Sequence, residues 1–191
     1  MSTVISQKSR GPRWQQVLDV AIACFHDKGY EGTSLQELAD QVGMQKGSIY
    51  HYIHSKEDLL YEVINKAHQV AIELIDETTS HTDLEPLQKI EILVRSMITR
   101  SIEMYPLASI FYTDVRHLHL DRRREIYKTR VIFEQMYCDL IEHAQVAGQI
   151  RTNAPAMLLT QVSLASINSL QAWYNPSHSI FEPMITADTC V

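Results

Sequence analysis

The residues best placed to do chemistry lie between Leu35 and Ile53, in the run LQELADQVGMQKGSIYHYI. If Gln45 to Ile53 is a short helix, one face of it presents Gln45, Lys46, Ser48, His51 and Tyr52. That set of donors and acceptors with one positive charge suits the major groove of B-DNA, about 12 Å wide. Lys46 can donate to guanine O6 or N7, and Gly47 lets the backbone approach a base edge or a thymine methyl closely. Three other residues would hold such a helix against its predecessor. Ala39 is small where the two helices cross, Gly43 tolerates the positive φ of a tight turn, and Ile49 offers an apolar contact to the first helix. Helical hairpins packed for stability alone also use Ala and Gly this way, so the spacing by itself leaves both readings open.

Other chemistry-bearing residues are less organised. Asp114, His117, His119 and Asp121 are potential metal ligands, but histidines two apart do not share a helical face and no cysteine is near, so no metal site is expected. Arg122, Arg123 and Arg124, with Arg116 and Lys128, could hold a phosphate-bearing head group; they equally suit a solvated helix start paired with Glu125. Met97, Met104, Tyr105, Phe111, Tyr112, Phe133, Met136, Tyr137 and Trp173 could line an apolar cavity, although methionine and aromatics at helical spacing also build ordinary cores. The ligand-contacting set expected from these groups is Met97, Met104, Phe111, Tyr112, Arg122, Arg123, Phe133, Tyr137 and Trp173. No Gly-rich phosphate loop, nucleophile elbow, HExxH or separated carboxylate pair is present, so no catalytic residue and no cofactor is expected. A helical adaptor without DNA binding remains a rival.

These residues need helices to position them. Trp14, Val17, Leu18, Ala21, Ile22 and Phe25 recur on one helical face, and Gly29 follows where a C-terminal cap belongs. Ser34 with Glu37 three residues on reads as a capping box opening a two-turn helix that Gly43 stops. Ser55 with Asp58 opens a longer helix, residues 55–79, whose buried stripe is Leu59, Leu60, Val63, Ile64, Ala67, Val70, Ala71 and Leu74. Further helices are expected from Leu84 to Tyr105, ended by Pro106, from Leu120 to Ala147, and from Pro155 to Trp173; a short segment joins the first two of these. The fold class is therefore all-α.

The continuation GSIYHYIHSKEDLL, Gly47 to Leu60, resembles the signature of the TetR (tetracycline repressor) family, and FHDKGYEGTSLQELADQVGM, Phe25 to Met44, matches the same pattern. The resemblance spans roughly residues 12–65. It implies a DNA-binding head, residues 1–55 with an arm at 1–11, and a ligand-binding and dimerisation body, residues 56–191, linked by the helix at 55–79. It further implies that Thr33, Ser34, Tyr50, Tyr52 and Lys56 hold phosphates while Gln45, Lys46, Gly47, Ser48 and His51 lie nearest the bases. Tyr50 could instead be core, and His51 with His54 plain surface. A basic arm carrying Lys8, Arg10 and Arg13 could reach the DNA backbone or minor groove, or serve as a solubilising tail. The implied function is that of a homodimeric transcriptional regulator, a repressor released from double-stranded operator DNA by a small-molecule effector. The Trp173-Tyr174-Asn175-Pro176 ending resembles regulators of lipid and sterol catabolism that respond to acyl-CoA thioesters; a drug or aromatic-compound sensor is the alternative. Helices near the C-terminus, with Leu158, Leu159, Val162, Leu164, Ala165, Ile167, Asn168 and Trp173, would pair with a second subunit, and the residues from Ile180 to Val191 resemble the opening of a last helix.

Charge qualifies the DNA reading. The chain of 191 residues has a formal net charge of −6, with 17 Lys and Arg against 23 Asp and Glu. Residues 1–60 hold 6 basic and 7 acidic side chains, a net of −1, and the remainder 11 and 16, a net of −5. DNA binding must then rest on a few placed contacts within a dimer rather than on a broad positive field. Cys24, Cys138 and Cys190 show no paired spacing, no run approaches a membrane span, and MSTVISQKSRGPR lacks an apolar secretory core, so a cytoplasmic protein without membrane partners is expected.

Overall fold

The computed structural model describes residues 11–174, and these are helical with no strand among them. The arm residues Lys8 and Arg10, Cys190, and the segment that begins at Asn175 and Pro176 and includes Ile180 to Val191 lie outside the described residues.

Helix α1 runs Pro12–Gly32, and proline sits in its first turn where the missing N–H is harmless. Gly29, at φ 74° and ψ 162°, breaks the helix where the sequence places a cap, and one further turn follows. Helix α2, Leu35–Val42, starts at Ser34, whose hydroxyl accepts the Glu37 N–H at 3.1 Å, and ends at Gly43 in the left-handed region, φ 68°. Helix α3 is a single turn, Lys46–Ile49, not the longer helix expected to Ile53. Gly47 and the following β-branched and aromatic residues favour helix weakly, and the chain closes instead through turns, with Tyr52 N–H on Ile49 O at 3.0 Å.

Helix α4, Lys56–Ser80, opens on the Ser55 and Asp58 capping box. After it come α5, Pro86–Glu103, and α6, Tyr105–Thr113, so the segment expected as a plain crossing is itself helical, with Pro106 in its first turn. A 3-10 turn, Val115–His117, leads to the long α7, Leu120–Val146. The last apolar run is split at Ser169 into α8, Ala156–Asn168, and the short α9, Leu170–Trp173. The hydroxyls of Ser166 and Ser169 donate back to Val162 O and Ser166 O, the kind of local competition that bends helices.

Helix α7 packs on α8, α4 and α5, and α4 also touches α1, α5 and α6. Two apolar cores result. The first joins Trp14, Val17, Phe25, Leu38, Ile49 and the front of α4 to Leu107, Ile110, Leu118 and Ile126 of the body. The second is formed by Ile75 at the far end of α4 with α5, α7, α8 and α9. One helix therefore contributes to both cores, its front half to the first and its rear to the second.

Candidate nucleic-acid interface and internal cavity

The helix-turn-helix residues fall where the local chemistry puts them. Ala39 and Ile49 are fully buried in the same core, and Gly43 turns the chain between their helices. Gln45, Lys46, Gly47, Tyr50 and His51 are exposed, as is Ser34, and Ser48 is half-buried. Tyr50 is 44 % exposed, which removes it from the core. A Cβ added at Gly47 would meet nothing within 4 Å, so the fold itself does not require glycine there; the bare backbone faces outward.

Several residues expected on the DNA side make contacts within the head. Thr33 is buried and its hydroxyl donates to Cys24 O and Gly29 O, at 3.1 and 3.0 Å, so its side chain closes the end of α1. The Lys56 ammonium donates to Tyr30 O at 2.7 Å and Thr33 O at 2.9 Å and stands 4.3 Å over the Tyr30 ring. Those carbonyls end a helix, where a cation is favoured, so Lys56 is already held within the chain. Tyr52 stacks on Trp14, centroids 5.9 Å apart and planes 17° from parallel. Arg13, expected in the arm, lies in α1 and donates to Val42 O and Gly43 O, at 2.8 and 3.2 Å, fastening α1 to the turn.

The basic cluster belongs to the joint between head and body. Arg122 pairs with Asp58 and lies 3.8 Å from Glu57, so it ties the start of α7 to the start of α4. Asp58 also accepts the His54 and Ser55 N–H groups; burial raises its pKa, but Arg122 and these donors outweigh burial and hold the carboxyl below its ordinary value. Glu57 accepts the His119 N–H at 2.8 Å, and Tyr61 donates to Glu125 at 2.8 Å. Arg123 donates to Arg116 O and Leu118 O, and Arg124 pairs with Asp121 at 3.1 Å. His117 stacks on Tyr30 at 5.0 Å, with Asp114 3.6 Å from its Nε2.

Within the body, α4, α5, α6, α7 and α8 line a partly open cavity of about 130 Å³. Met97, Met104, Phe111, Tyr112 and Phe133 line it, whereas Tyr105 and Met136 pack against the second core. Arg122 and Arg123 do not line it, being engaged in the joint. Tyr137 is buried behind the wall with its hydroxyl 2.8 Å from Ser163 Oγ, and Trp173 is 52 % exposed on the outside, its indole donating to Ser169. Sequence reasoning missed His68, Arg100, Arg130, Glu134 and Asn168. The periodicity that picks out Leu60 and Ile64 on α4 counts only apolar residues; one more step of four from Ile64 reaches His68.

The cavity's polar groups are mostly paired. Arg130 Nε donates to Glu134 at 2.7 Å, Arg100 lies 3.5 Å from Glu103, and the Tyr112 hydroxyl donates to Asn168. Burial pushes the Tyr112 hydroxyl up to about 12. His68 differs: it is 6 % exposed, neither ring nitrogen has a hydrogen-bond partner, and burial, then the Arg130 charge, lowers its pKa to about 4. Its ring meets Phe111 edge to face at 4.7 Å.

A short helix presented outward by a three-helix head, backed by a helical body with an internal cavity, defines a helix-turn-helix regulator. Residues 17–63 match the bacterial regulatory proteins of the tetR family, and residues 83–179 the tetracyclin repressor-like C-terminal domain. The chain belongs to the tetR family. It is 22% identical over 169 residues to the HTH-type transcriptional repressor KstR2 of Rhodococcus jostii, covering 88% of this chain and 82% of that one. It is 20% identical over 161 residues to the fatty acid metabolism regulator protein of Bacillus subtilis, covering 84% and 82%. The fold is shared with PfmR of Thermus thermophilus, TM-score 0.82 at 23% identity over 91% of this chain and 93% of that one. It is also shared with AibR solved with isovaleryl coenzyme A and operator DNA, TM-score 0.81 at 22% identity over 93% and 95%. These relatives are regulators, and no helix among the described residues is long and apolar enough to cross a membrane.

Proposed function

We propose that this protein is a homodimeric cytoplasmic repressor that reads double-stranded operator DNA with its head and releases it when a small molecule enters the body cavity. The observation that carries this is the double membership of α4. Leu59, Leu60, Val63 and Ile64 fill the head core, and Ala67, His68, Val70, Ala71 and Leu74 form one wall of the cavity. A molecule that fits the cavity better in one position of α4 than another thereby biases the head.

Residues 1–55 are the DNA-reading unit and 56–191 the effector and dimerisation unit, with α4 linking them. Ser34, Tyr50 and Tyr52 hold phosphates, Tyr52 with its ring fixed by Trp14. Gln45, Lys46, Gly47, Ser48 and His51 read bases. Lys56 and Thr33 serve by holding the end of α1 against α4. Met97, Met104, Phe111, Tyr112 and Phe133 contact the effector. The exposed face of α8, with Leu158 54 % and Val162 57 % exposed and Ala165 beside them, meets its counterpart in a second subunit. No residue is given a catalytic role.

A volume of about 130 Å³ suits a compact apolar group. AibR, solved with isovaleryl coenzyme A, favours a short acyl chain, in which case the acyl part enters and the nucleotide stays outside. The test is fluorescence anisotropy of the full-length protein on DNA selected from a random pool. Tight binding that weakens steeply with salt and is reversed by isovaleryl coenzyme A or a compact apolar compound is expected. Binding that no such compound reverses would refute the effector reading; absence of selected DNA would refute the repressor reading.

A further inference from the structure

Buried imidazoles nearly always find partners, because a donor or acceptor taken from water without a replacement destabilises the fold. His68 has none, although it is fixed edge-on to Phe111 in the middle of α4. It stands where two spaces meet. On one side is the apolar cavity; on the other is an open cleft of about 390 Å³ between α4 and α7, lined by Asn65, Gln69, Ile72, Glu73 and Thr129. The ring borders both spaces, and neither of its nitrogens is satisfied by any residue around it.

The charges around the ring restrict what it could meet. The two arginines of the cavity wall are each beside a glutamate, Arg130 with Glu134 and Arg100 with Glu103, and Tyr112 is held by Asn168. An anion in the cavity would therefore have to compete with a carboxylate for either arginine. We propose that His68 is a hydrogen-bond partner of the effector, and that the part of the effector held in the cavity is uncharged, compact and mainly apolar and carries a ketone, hydroxyl or thioester oxygen, not a free carboxylate. This rests on the cavity's being the effector site. The neutral ring offers one N–H donor and one acceptor nitrogen, so it serves a carbonyl or a hydroxyl alike. Its lowered pKa keeps it uncharged at neutral pH, and a carboxylate would be desolvated against it without compensation. Bound there, the oxygen is tied directly to α4, the element shared with the head.

The experiment measures binding of cyclohexane, cyclohexanone, cyclohexanecarboxylate and cyclohexanecarbonyl-CoA to the full-length protein and to His68→Leu and His68→Gln, by calorimetry and by the 15N signals of the His68 ring. Retained DNA binding and circular dichroism confirm that the variants fold. The expected result is roughly a tenfold loss of cyclohexanone affinity in His68→Leu, partial recovery in His68→Gln, unchanged cyclohexane affinity, and a shifted His68 ring signal in the wild type. The carboxylate binds more weakly than the ketone. The thioester loses affinity in His68→Leu in parallel if it is the physiological source; if it does not bind at all, the source is a free ketone or alcohol, and the inference stands on either. Equal ketone affinity in wild type and His68→Leu would overturn the role of His68 while leaving the cavity as effector site. Tighter binding of the carboxylate would overturn the neutral-ligand class. Failure of every probe to bind the wild type would remove the effector site itself, and this inference with it.

Discussion

Lowering the pH should destabilise this protein in a window set by His68. Its ring titrates at about 4 in the fold against 6.5 ordinarily, so between those values the unfolded chain binds a proton that the folded chain refuses. Stability is unaffected by this group above pH 6.5 and is lost progressively as the pH falls toward 4. At pH 5 the unfolded ring is almost wholly protonated and the folded ring about one-tenth so, a difference of about 2 kcal/mol. Other histidines and carboxylates also titrate, so the measurement is a comparison: urea unfolding of wild type and His68→Leu at pH 7.5, 6 and 5, at one protomer concentration because a dimer's stability depends on it. At pH 7.5 the variant should equal or exceed the wild type, since it removes a buried polar group without a partner. At pH 5 its advantage should have grown by about 2 kcal/mol. Parallel pH profiles would show that the ring is protonated or solvated in the fold, and the burial argument would fail.

Three further outcomes follow from the same geometry. Lys46→Ala should weaken operator binding by about 1–3 kcal/mol if the ammonium reads a guanine, with specificity relaxed at one position, or lower the salt slope by about one if it meets a phosphate; band-shift titrations on selected and mutated sites separate these. Lys56→Met should lower unfolding stability by about 1–2 kcal/mol through the loss of its bonds to Tyr30 O and Thr33 O, with DNA affinity reduced only as far as the head loosens; a full loss of DNA binding with unchanged stability would return Lys56 to the phosphate. Gly43→Ala forces a Cβ into φ 68° and should cost about 1 kcal/mol in thermal or urea unfolding.

The head is legible in the sequence because its signals are local. Ser34 to Glu37, Ser55 to Asp58 and Gly43 each act within one turn, and the structure places a cap or a left-handed turn at every one. Helix α3 is shorter than its pattern suggests because its outward residues look alike in a helix or in turns, and only Gly47 and the aromatic run hint at a stop. The side chains whose contacts the sequence does not foretell are those whose partners are distant. Arg122 looks free beside Arg123 and Arg124 until Asp58, 64 positions earlier, is brought against it. Nothing near Lys56 in the sequence announces that its ammonium bonds the Tyr30 and Thr33 carbonyls. The aromatic and sulfur residues of the cavity are separable from core only by enclosure, which spacing does not encode. His68 is invisible to a search for an apolar stripe, which passes over a polar residue however deeply its position lies on the buried face.

The two cores explain why so small a contact suffices to control the head. Leu107, Ile110, Leu118 and Ile126 share a core with Trp14, Phe25 and Ile49, and Arg122 with Asp58 closes the same seam, so the head does not swing on α4 as on a free hinge. Head, α6 and the start of α7 must shift together against the second core around Ile75, Phe133 and Ile141. The cavity lies along that boundary, with Phe111 and Leu107 on one side and Phe133 and Leu164 on the other. A ligand there can bias the two arrangements only by its difference in affinity for them, and useful allosteric coupling is about 1–3 kcal/mol. One hydrogen bond made in a single position of α4 is worth about 1 kcal/mol, and a few methylenes buried with it add about 0.8 each. That sum reaches the coupling without any ligand contact to the head. Arg122→Ala should accordingly leave effector affinity nearly unchanged while shrinking the effector's influence on DNA affinity, because it loosens the seam that makes the head follow α6 and α7. Equal coupling in the variant, measured as the ratio of DNA affinities with and without effector, would show that α4 alone transmits the signal.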